Sequence, residues 1–331
     1  MSKYPPLPRL AGAPPRLVED GIELSLYGVE FTVQHPEVPR LMELLSALDG
    51  RTSAEVLVER SGLTEEEVHE VLTDLDDGGF LDDPSQPSVR AAIDVMFSLE
   101  DELNRLFSEQ VEESRFWREL TERPESVPEN VYFGMAIENW HFLYREHLFD
   151  SAVLTYPNSH AVRAHLNEFY IEEHRHDDIV LKAFEPLGIT PEQMRRARPL
   201  PSTTALVNGL AWWARTDPLF FFATISLLEG GPGGGGDTDT FIEACQLKGL
   251  ASAFIEPLKA HARINNSHQH GRVSRELLDL VPAVNASDEI RMNAQCGLFM
   301  ELYRNFYDGI FEYYSRPAEP LLRVLPGEQQ R

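Results

Sequence analysis

Amphipathic runs at helical spacing fill the sequence almost without interruption from Val89 to about residue 314, and this feature limits the fold most. Apolar residues recur every three or four positions in these runs, and none of the runs alternates strictly as a half-buried strand does. Long helices of this kind bury their apolar faces against one another. The sequence therefore predicts an all-α bundle over residues 89–331, with helical runs at 89–121, 130–150, 159–185, 201–216, 218–229, 239–280 and 286–314.

A small winged helix is predicted in front of the bundle, over residues 17–83. Two β-type runs within residues 21–33 are joined at Tyr27-Gly28, and a short strand follows Gly78-Gly79. Between them lie three helical patterns, the last opened by a capping box, at 38–48, 53–61 and 64–76. Three helices and a wing behind a hairpin follow the order of a winged helix. The remaining segments are an extended or disordered N-terminus and a linker, predicted at 1–16 and 84–88.

The charge balance excludes nucleic acid as a partner. The chain carries 29 Lys and Arg against 54 Asp and Glu, a net charge of −25 that repels a phosphate backbone. The winged-helix segment repeats this bias, with two basic and eleven acidic residues between Arg51 and Asp83. Its third helix begins with Glu65-Glu66-Glu67, where a DNA-reading helix needs Lys or Arg.

The composition also indicates a cytoplasmic protein with no membrane partner. The N-terminal residues lack the apolar core of a signal peptide, and the longest apolar stretch, Pro218–Leu228, is about half of a bilayer span. The two cysteines, Cys245 and Cys296, are too few for a disulfide framework or for a cysteine-based zinc site.

Three polar clusters lie on predicted helices of the bundle: Glu138-Asn139-Trp140-His141, Glu172-Glu173-His174-Arg175-His176, and the segment from His261 to His268. At about 100° per residue, positions i, i+4 and i+7 fall within an arc of about 60° on one helix face. His261, Asn265 and His268 therefore share a face. Glu173 and His176 have the Glu-x-x-His spacing that carboxylate-bridged bundles direct toward their core.

The residue types in these clusters indicate a metal site. Imidazole and carboxylate ligands without thiolate favour Fe or Mn over a structural zinc. Such polar side chains, gathered inside an apolar bundle, are costly to bury unless they bind a metal. The predicted ligands are Glu138, Glu173, His176, His261, Asn265 and His268. The alternative for the Glu-x-x-His segment is that Glu172-Glu173 with Arg175 forms an ordinary solvated helix face or a capped pair, whereas the apolar neighbours of His261 and His268 favour a site.

Residues 130–315 resemble the heme-oxygenase-like superfamily, which includes thiaminase-II-like proteins, the pyrroloquinoline-quinone synthase and di-iron oxidases. The matching motifs are Glu138 with Trp140-His141, Glu173 and His176 before Phe184–Gly188, and the stripe from His261 to His268. The resemblance implies one or two non-heme iron ions and O2 as a co-substrate. It further implies an oxidase or oxygenase that acts on an amino-acid-derived or fatty-acid substrate.

Asn265 departs from the family pattern, which has Asp at this position of His-x-x-x-Asp-x-x-His. Because an amide oxygen is neutral and a weaker ligand for a hard cation, we expect Asn265 to be a weak ligand or a catalytic hydrogen-bonding group that faces O2. Three alternatives remain: a weak second metal position, another acid such as Glu172 or Glu229 in its place, or a metal-free enzyme of the quinone-synthase or thiaminase-like kind with histidine bases. Trp212, Trp213 and Phe220–Phe222 are candidates for the wall of an apolar pocket, and for most of them the alternative, an ordinary place in the core, is favoured.

Residues 20–83 resemble the winged-helix peptide-binding module of the pyrroloquinoline-quinone chaperone type, the RiPP recognition element. The matching residues are Leu44–Gly50, Leu57–Arg60, Leu72–Leu75 and Gly78–Leu81. The resemblance implies natural-product biosynthesis in which the substrate is a residue of a ribosomally made precursor peptide. An open sheet edge at 21–33, with Tyr27 and Phe31, would accept that peptide as an added strand. The alternatives are a dimerisation element, consistent with a homodimer, a lid, or a non-enzymatic escort of a peptide or small molecule.

Overall fold

A computed structural model describes residues 4–11, 14–18, 21–26, 29–83, 89–156, 159–230, 236–268 and 270–324. The chain divides into two compact units, one made of Met1–Ala91 with Ala283–Glu289 and the other of Ala92–Pro282 with Ile290–Arg331. The hairpin turn predicted at Tyr27-Gly28 and the linker predicted at 84–88 lie outside the described residues.

The first unit combines short strands with three helices. Its strands are β1 (Arg9–Leu10), β2 (Arg16–Val18), β3 (Gly21–Leu26), β4 (Val29–Val33), β5 (Leu81–Asp82), β6 (Val89–Arg90) and β7 (Val284–Asn285). Its helices are α1 (Val38–Ser46), α2 (Ala54–Ser61) and α3 (Glu65–Asp77). β2, β3 and β4 form an antiparallel sheet in that order, whereas β5 pairs with β1 and β6 pairs with β7. The strand predicted after Gly78-Gly79 therefore pairs with the N-terminal segment.

Local signals of the sequence account for the three helices. Thr64 accepts a hydrogen bond from the Glu67 backbone while the Glu67 carboxylate accepts one from the Thr64 backbone, which is the predicted capping box. Gly62, in the left-handed region at φ 69°, ends α2. One apolar core joins sheet and helices, built from Ile22, Leu24, Leu41, Leu44, Leu45, Leu57, Val68, Leu72 and Phe80. This set of small strands and helices fits a small winged-helix module.

The second unit is helical. Its helices are α4 (Ala92–Leu106), α5 (Arg115–Glu122), α6 (Glu129–Leu143), α7 (His147–Val153), α8 (His160–Glu173), α9 (His176–Leu181), α10 (Pro191–Arg196), α11 (Pro201–Thr216), α12 (Pro218–Leu228), α13 (Gly236–Lys248), α14 (Ser252–His268), α15 (Val273–Asp279) and α16 (Ala286–Tyr314), the last of which begins in the first unit. Within the described residues, every helix falls short of the length and apolar character that a bilayer crossing requires. The mainly α fold class predicted from the periodicity is confirmed.

Four of the predicted helical runs are interrupted, at 89–121, 130–150, 159–185 and 239–280, and two of the breaks occur at residues with a positive φ. The run at 239–280 breaks after α13 at Gly249, whose φ of 81° is a conformation that glycine adopts at little cost. The run at 159–185 breaks between α8 and α9 at Arg175, whose φ of 75° is uncommon for a residue with a side chain. Glu173 and His176, predicted to share one continuous helix, therefore lie on the two sides of this break.

Helices α6 and α16 approach each other closely at Gly134. A Cβ atom at this position would lie 2.2 Å from Cδ2 of Tyr314, so a larger residue would displace the tyrosine ring. The close approach allows the Tyr314 hydroxyl to reach Glu138, one turn along α6 from Gly134. A glycine thus determines which neighbour one of the predicted site residues meets.

Candidate functional site

The break between α8 and α9 brings a carboxylate against an imidazole. Glu173 is the last residue of α8 and His176 is the first residue of α9. Oε2 of Glu173 lies 2.7 Å from Nδ1 of His176, and each side chain is only 3–4% exposed. Backbone strain of the kind seen at Arg175 is concentrated at functional sites in proteins. The junction holds two of the predicted ligands in direct contact.

A third predicted ligand lies beside this pair. His261 of α14 is 8% exposed, and its ring centroid is 5.1 Å from that of His176, with the two rings perpendicular. One turn further, Nδ2 of Asn265 donates a hydrogen bond of 2.6 Å to Oε2 of Glu229. Oδ1 of Asn265 is buried and has no hydrogen-bond partner among the described residues. The side chain of His268 lies outside the described part of the structure.

Four carboxylates line a small cavity of about 20 Å³, which is the size of an ion. They are Glu146, Asp150, Glu173 and Glu229. Burial raises the pKa of Glu146 to about 10, with further increases from Asp150, Glu173 and Glu229. Burial also raises the pKa of Asp150, which the charges of Glu173 and Glu229 raise further. Four acids that repel one another in a small space are unfavourable unless protons or a cation neutralise them.

Glu146 and Asp150 are not among the predicted site residues. The sequence signal for them is their i, i+4 spacing across Leu148 and Phe149, at the start of α7. Glu229, in contrast, was named as an acid that could replace the missing carboxylate at position 265. The hydrogen bond from Asn265 to Glu229 places these two residues together, as that alternative requires.

Glu138 has different neighbours from those predicted. The side chain is fully buried, and Oε2 accepts hydrogen bonds from the Thr203 hydroxyl at 2.6 Å and the Leu200 backbone at 2.9 Å. Oε1 accepts a third, of 2.9 Å, from the Tyr314 hydroxyl. Burial raises the pKa of Glu138, although these donors oppose the shift. Within the described residues, no other predicted ligand is a partner of Glu138, because α6 directs it toward the start of α11 and the end of α16.

His141, one turn from Glu138, is also fully buried. Nη1 of Arg145 lies 3.0 Å from its Nδ1, so that Nδ1 accepts and Nε2 carries the proton of the neutral ring. Burial, aided by the positive charges of Arg145 and Arg323, lowers the pKa of His141 to about 3. His141 is therefore a neutral imidazole at physiological pH, and its buried Nε2 has no hydrogen-bond partner among the described residues.

A larger cavity of about 110 Å³ opens beside His261 and Asn265. Apolar side chains of α6, α12 and α14 form much of its wall, including Met135, Phe142 and Leu258, and Glu229 lines it as well as the smaller cavity. Most of the aromatic residues considered for the pocket wall lie elsewhere. Trp212 is 55% exposed, Trp213, Phe220 and Phe222 pack in the core away from both cavities, and Phe221 lines the smaller one.

The donors at this site fit iron in chemical type. Carboxylates and imidazoles without thiolate are ligands that Fe(II) accepts, and an ion-sized space among acids suits a cation. The contacts bring the predicted ligands together in pairs, Glu173 with His176 and His176 with His261. Among the described residues, no three His, Cys, Asp or Glu side chains already have the arrangement of a metal-binding group.

The fold has a counterpart among solved structures. The chain is similar to a domain of unknown function with a heme oxygenase-like fold from Shewanella denitrificans OS217, with a TM-score of 0.54 and 18% sequence identity. The similarity covers 65% of this chain and 91% of that domain. No protein-family model and no curated protein sequence matches the chain significantly. The heme-oxygenase-like fold predicted for the helical part is therefore confirmed, as a statement about fold.

Proposed function

We propose that the helical unit is an O2-dependent oxidase or oxygenase with a non-heme iron centre of one or two ions. Its ligands are Glu173, His176 and His261, with Glu229 supplying the carboxylate that position 265 lacks. The observation that carries the proposal is the buried contact of Glu173 with His176 at a strained helix break, beside a second imidazole. The fold supports the proposal because it is the one expected of this class of oxidase.

The protein's own residues hold and orient the reacting groups. Glu173 fixes the ring orientation of His176, as a carboxylate commonly does for a metal-ligating imidazole. Asn265 holds Glu229 through its amide nitrogen and keeps Oδ1 for a weak ligand or hydrogen-bonding role. The apolar wall of the larger cavity excludes water and takes the apolar body of an amino-acid-derived substrate. Bound iron would supply the redox chemistry with O2 that these side chains cannot perform.

The four carboxylates of the small cavity support a centre that carries more than one positive charge. Glu146, Asp150, Glu173 and Glu229 line one small cavity, and the charges of their neighbours raise the pKa values of the first two. Fe(II) ions would neutralise these acids without requiring an aspartate at position 265. The departure at Asn265 is thereby compensated by acids on other helices.

An iron titration tests the proposal. We expect protein prepared without metal to bind Fe(II), and His176→Ala to lower the affinity at least about 100-fold. His174→Ala is the matched control, because His174 is exposed and only two residues away. Equal Fe(II) affinity of the wild type and both variants, measured anaerobically, would contradict the proposed centre.

A metal-free enzyme of the quinone-synthase or thiaminase-like kind is the second candidate. It is favoured by the position of His261 on the larger cavity, where it could act as a base. Turnover that persists in excess chelator would support this candidate. Turnover that disappears in chelator and returns with Fe(II) would support the iron enzyme.

A precursor peptide is the proposed partner of the first unit. Among the described residues β4 pairs on one side with β3, and Phe31 on β4 is 46% exposed with its ring 4.9 Å from that of Phe80. The first turn of α3 carries Glu65, Glu66 and Glu67, which favour a basic peptide. A Lys- and Arg-rich peptide should bind the full chain with an affinity that falls as salt rises. A peptide of equal length with Glu at those positions should not bind, and equal binding of both would refute the partner.

A further inference from the structure

The larger cavity has a second polar region, formed by a carboxylate and two phenols. Asp237 lies in the first turn of α13, and Oδ2 accepts a hydrogen bond of 3.1 Å from the Tyr307 hydroxyl. The hydroxyls of Tyr307 and Tyr303 are 3.3 Å apart, and both tyrosine rings are buried. All three residues line the cavity that His261 and Asn265 also line. No part of the proposed iron centre uses this group.

Three aromatic rings pack together next to the carboxylate, centred on its hydrogen-bond partner Tyr307. The ring of Tyr307 lies 5.1 Å from that of Trp117 and 5.3 Å from that of Tyr303, measured between centroids. Trp117 also lines the cavity, is 4% exposed, and has a buried Nε1 with no hydrogen-bond partner among the described residues. An acid and three aromatic rings that line one cavity can together bind an ammonium group, through the carboxylate charge and the ring electrons. The indole N–H is a donor that a ligand's acceptor would satisfy.

Among the described residues, Asp237 has no ion-pair partner. The Tyr307 hydroxyl is the polar partner it has in the described part of the chain, and that partner is neutral. Burial raises the pKa of Asp237 to about 6, with a further increase from Glu112 and an opposing effect of Tyr307, so the carboxylate is mostly ionised at neutral pH. A carboxylate in such surroundings favours a cation that can enter the cavity.

We propose that Asp237, Tyr303, Tyr307 and Trp117 form an ammonium-binding subsite of the larger cavity. The ligand carries a primary ammonium that pairs with Asp237, a hydrogen-bond acceptor that the Trp117 indole can reach, and an apolar body against the remaining wall. An amino-acid-derived amine has this chemistry. That such a ligand is the substrate rests on the proposed oxidase function, whereas its binding does not.

Ligand binding to the full-length protein tests the subsite. The probes are 2-phenylethylamine and its neutral counterpart 2-phenylethanol, measured by calorimetry at pH 7.5 in chelator. We expect the amine to bind roughly 10- to 100-fold more tightly than the alcohol, because a charge-assisted pair is lost in the alcohol. Asp237→Asn should remove this preference. Asp239→Asn is the matched control, since Asp239 lies in the same helical turn but is exposed and outside the cavity lining, and it should keep the preference.

Trp117→Phe gives a second measurement that is independent of Asp237. It keeps an aromatic ring and removes the indole N–H. The variant should therefore retain the preference for the amine over the alcohol. It should bind phenylalanine amide, which carries a carbonyl acceptor, more weakly than the wild type does. Equal binding of amine and alcohol by the wild type, or a preference that Asp237→Asn leaves intact, would overturn the subsite. Anaerobic Fe(II) titration of the same proteins after removal of the chelator reports the iron centre separately, so failure of one proposal is distinguishable from failure of the other.

Discussion

Glu138 and Glu173 are both buried carboxylates on helices of the same unit, yet their surroundings differ in kind. Glu138 accepts hydrogen bonds from a threonine, a tyrosine and the backbone at the start of α11, so both of its oxygens have neutral donors. Glu173 ends its helix at a strained residue, contacts an imidazole, and shares a small cavity with three other acids. Burial alone therefore does not identify a functional acid.

The difference supports the proposed division between Glu138, a structural carboxylate, and Glu173, a ligand. The fold itself supplies the neutral donors that stabilise the Glu138 carboxylate, so no bound group is needed there. Repelling acids and an unusual backbone conformation reduce stability and persist where a bound group compensates for them. The site around Glu173 and His176 has these features, and the site around Glu138 lacks them among its described contacts.

The largest effect is expected from removing the two carboxylates one at a time. Glu138→Ala leaves three buried donors without an acceptor and should lower the free energy of unfolding by about 4 kcal/mol. Glu173→Ala removes a side chain of the same size but also relieves repulsion from neighbouring acids, so its loss should be below about 2 kcal/mol. Urea unfolding in chelator at pH 7 measures both. Equal losses would show that the two sites do not differ as the structure indicates.

The stabilisation gained from Fe(II) should depend on Glu173 and not on Glu138, the reverse of the order expected for stability without metal. At an Fe(II) concentration of about 100 times Kd, binding should stabilise the wild type by about 2.7 kcal/mol. Glu138→Gln should keep this increment, because Glu138 is occupied by structural donors, and Glu173→Gln should lose most of it. Anaerobic unfolding with and without Fe(II) gives the increment for each protein. An increment lost in Glu138→Gln and kept in Glu173→Gln would return Glu138 to the ligand set and remove Glu173 from it.

The fold class was predictable because helical periodicity is a local property of the sequence. The capping box at Thr64 and the face shared by His261 and Asn265 follow from spacing alone, and the structure has both. The break at Arg175 was not predictable from spacing, because arginine gives no turn signal and a strained φ is imposed by tertiary packing. The same packing decides that His176 meets Glu173 across a break.

The proposed ligand set was predictable from the sequence only in part, for a related reason. Spacing on α6 identifies Glu138 and His141 as polar residues of an apolar helix, but it does not show which helices face them. Leu200, Thr203 and Tyr314 are 62 to 176 residues further along the chain, and they determine what Glu138 does. Glu146 and Asp150 are recognisable as site residues once Glu173 and Glu229 are seen to line the same cavity.

Asn265 offers a smaller test of the acid-rich site. Asn265→Asp replaces the donor that lies 2.6 Å from Glu229 with a second carboxylate, which should destabilise the metal-free protein by roughly 2 kcal/mol. The added charge should raise Fe(II) occupancy, above all at a second metal position. Asn266→Asp is the control, because it adds the same charge at an exposed neighbour. If both forms bind a single equivalent of Fe(II), Asn265 does not lie at a second metal.

The smallest expected effect is a pH dependence of stability that arises at His141, one turn from Glu138. Burial lowers the folded-state pKa of His141 to about 3, whereas an unfolded histidine has a pKa near 6.5. Between these values the unfolded chain binds the proton more strongly, so the stability contributed by the neutral ring is present above pH 6.5 and is lost as pH falls. Linkage gives a loss of about 1.2 kcal/mol between pH 7 and pH 5.5 from this residue.

The measurement is the difference in unfolding free energy between the wild type and His141→Gln, which keeps an acceptor for Arg145, at the two pH values. Since the carboxylates titrate equally in both proteins, the difference isolates His141, and an unchanged difference across this range would mean that the folded protein accepts the proton at His141.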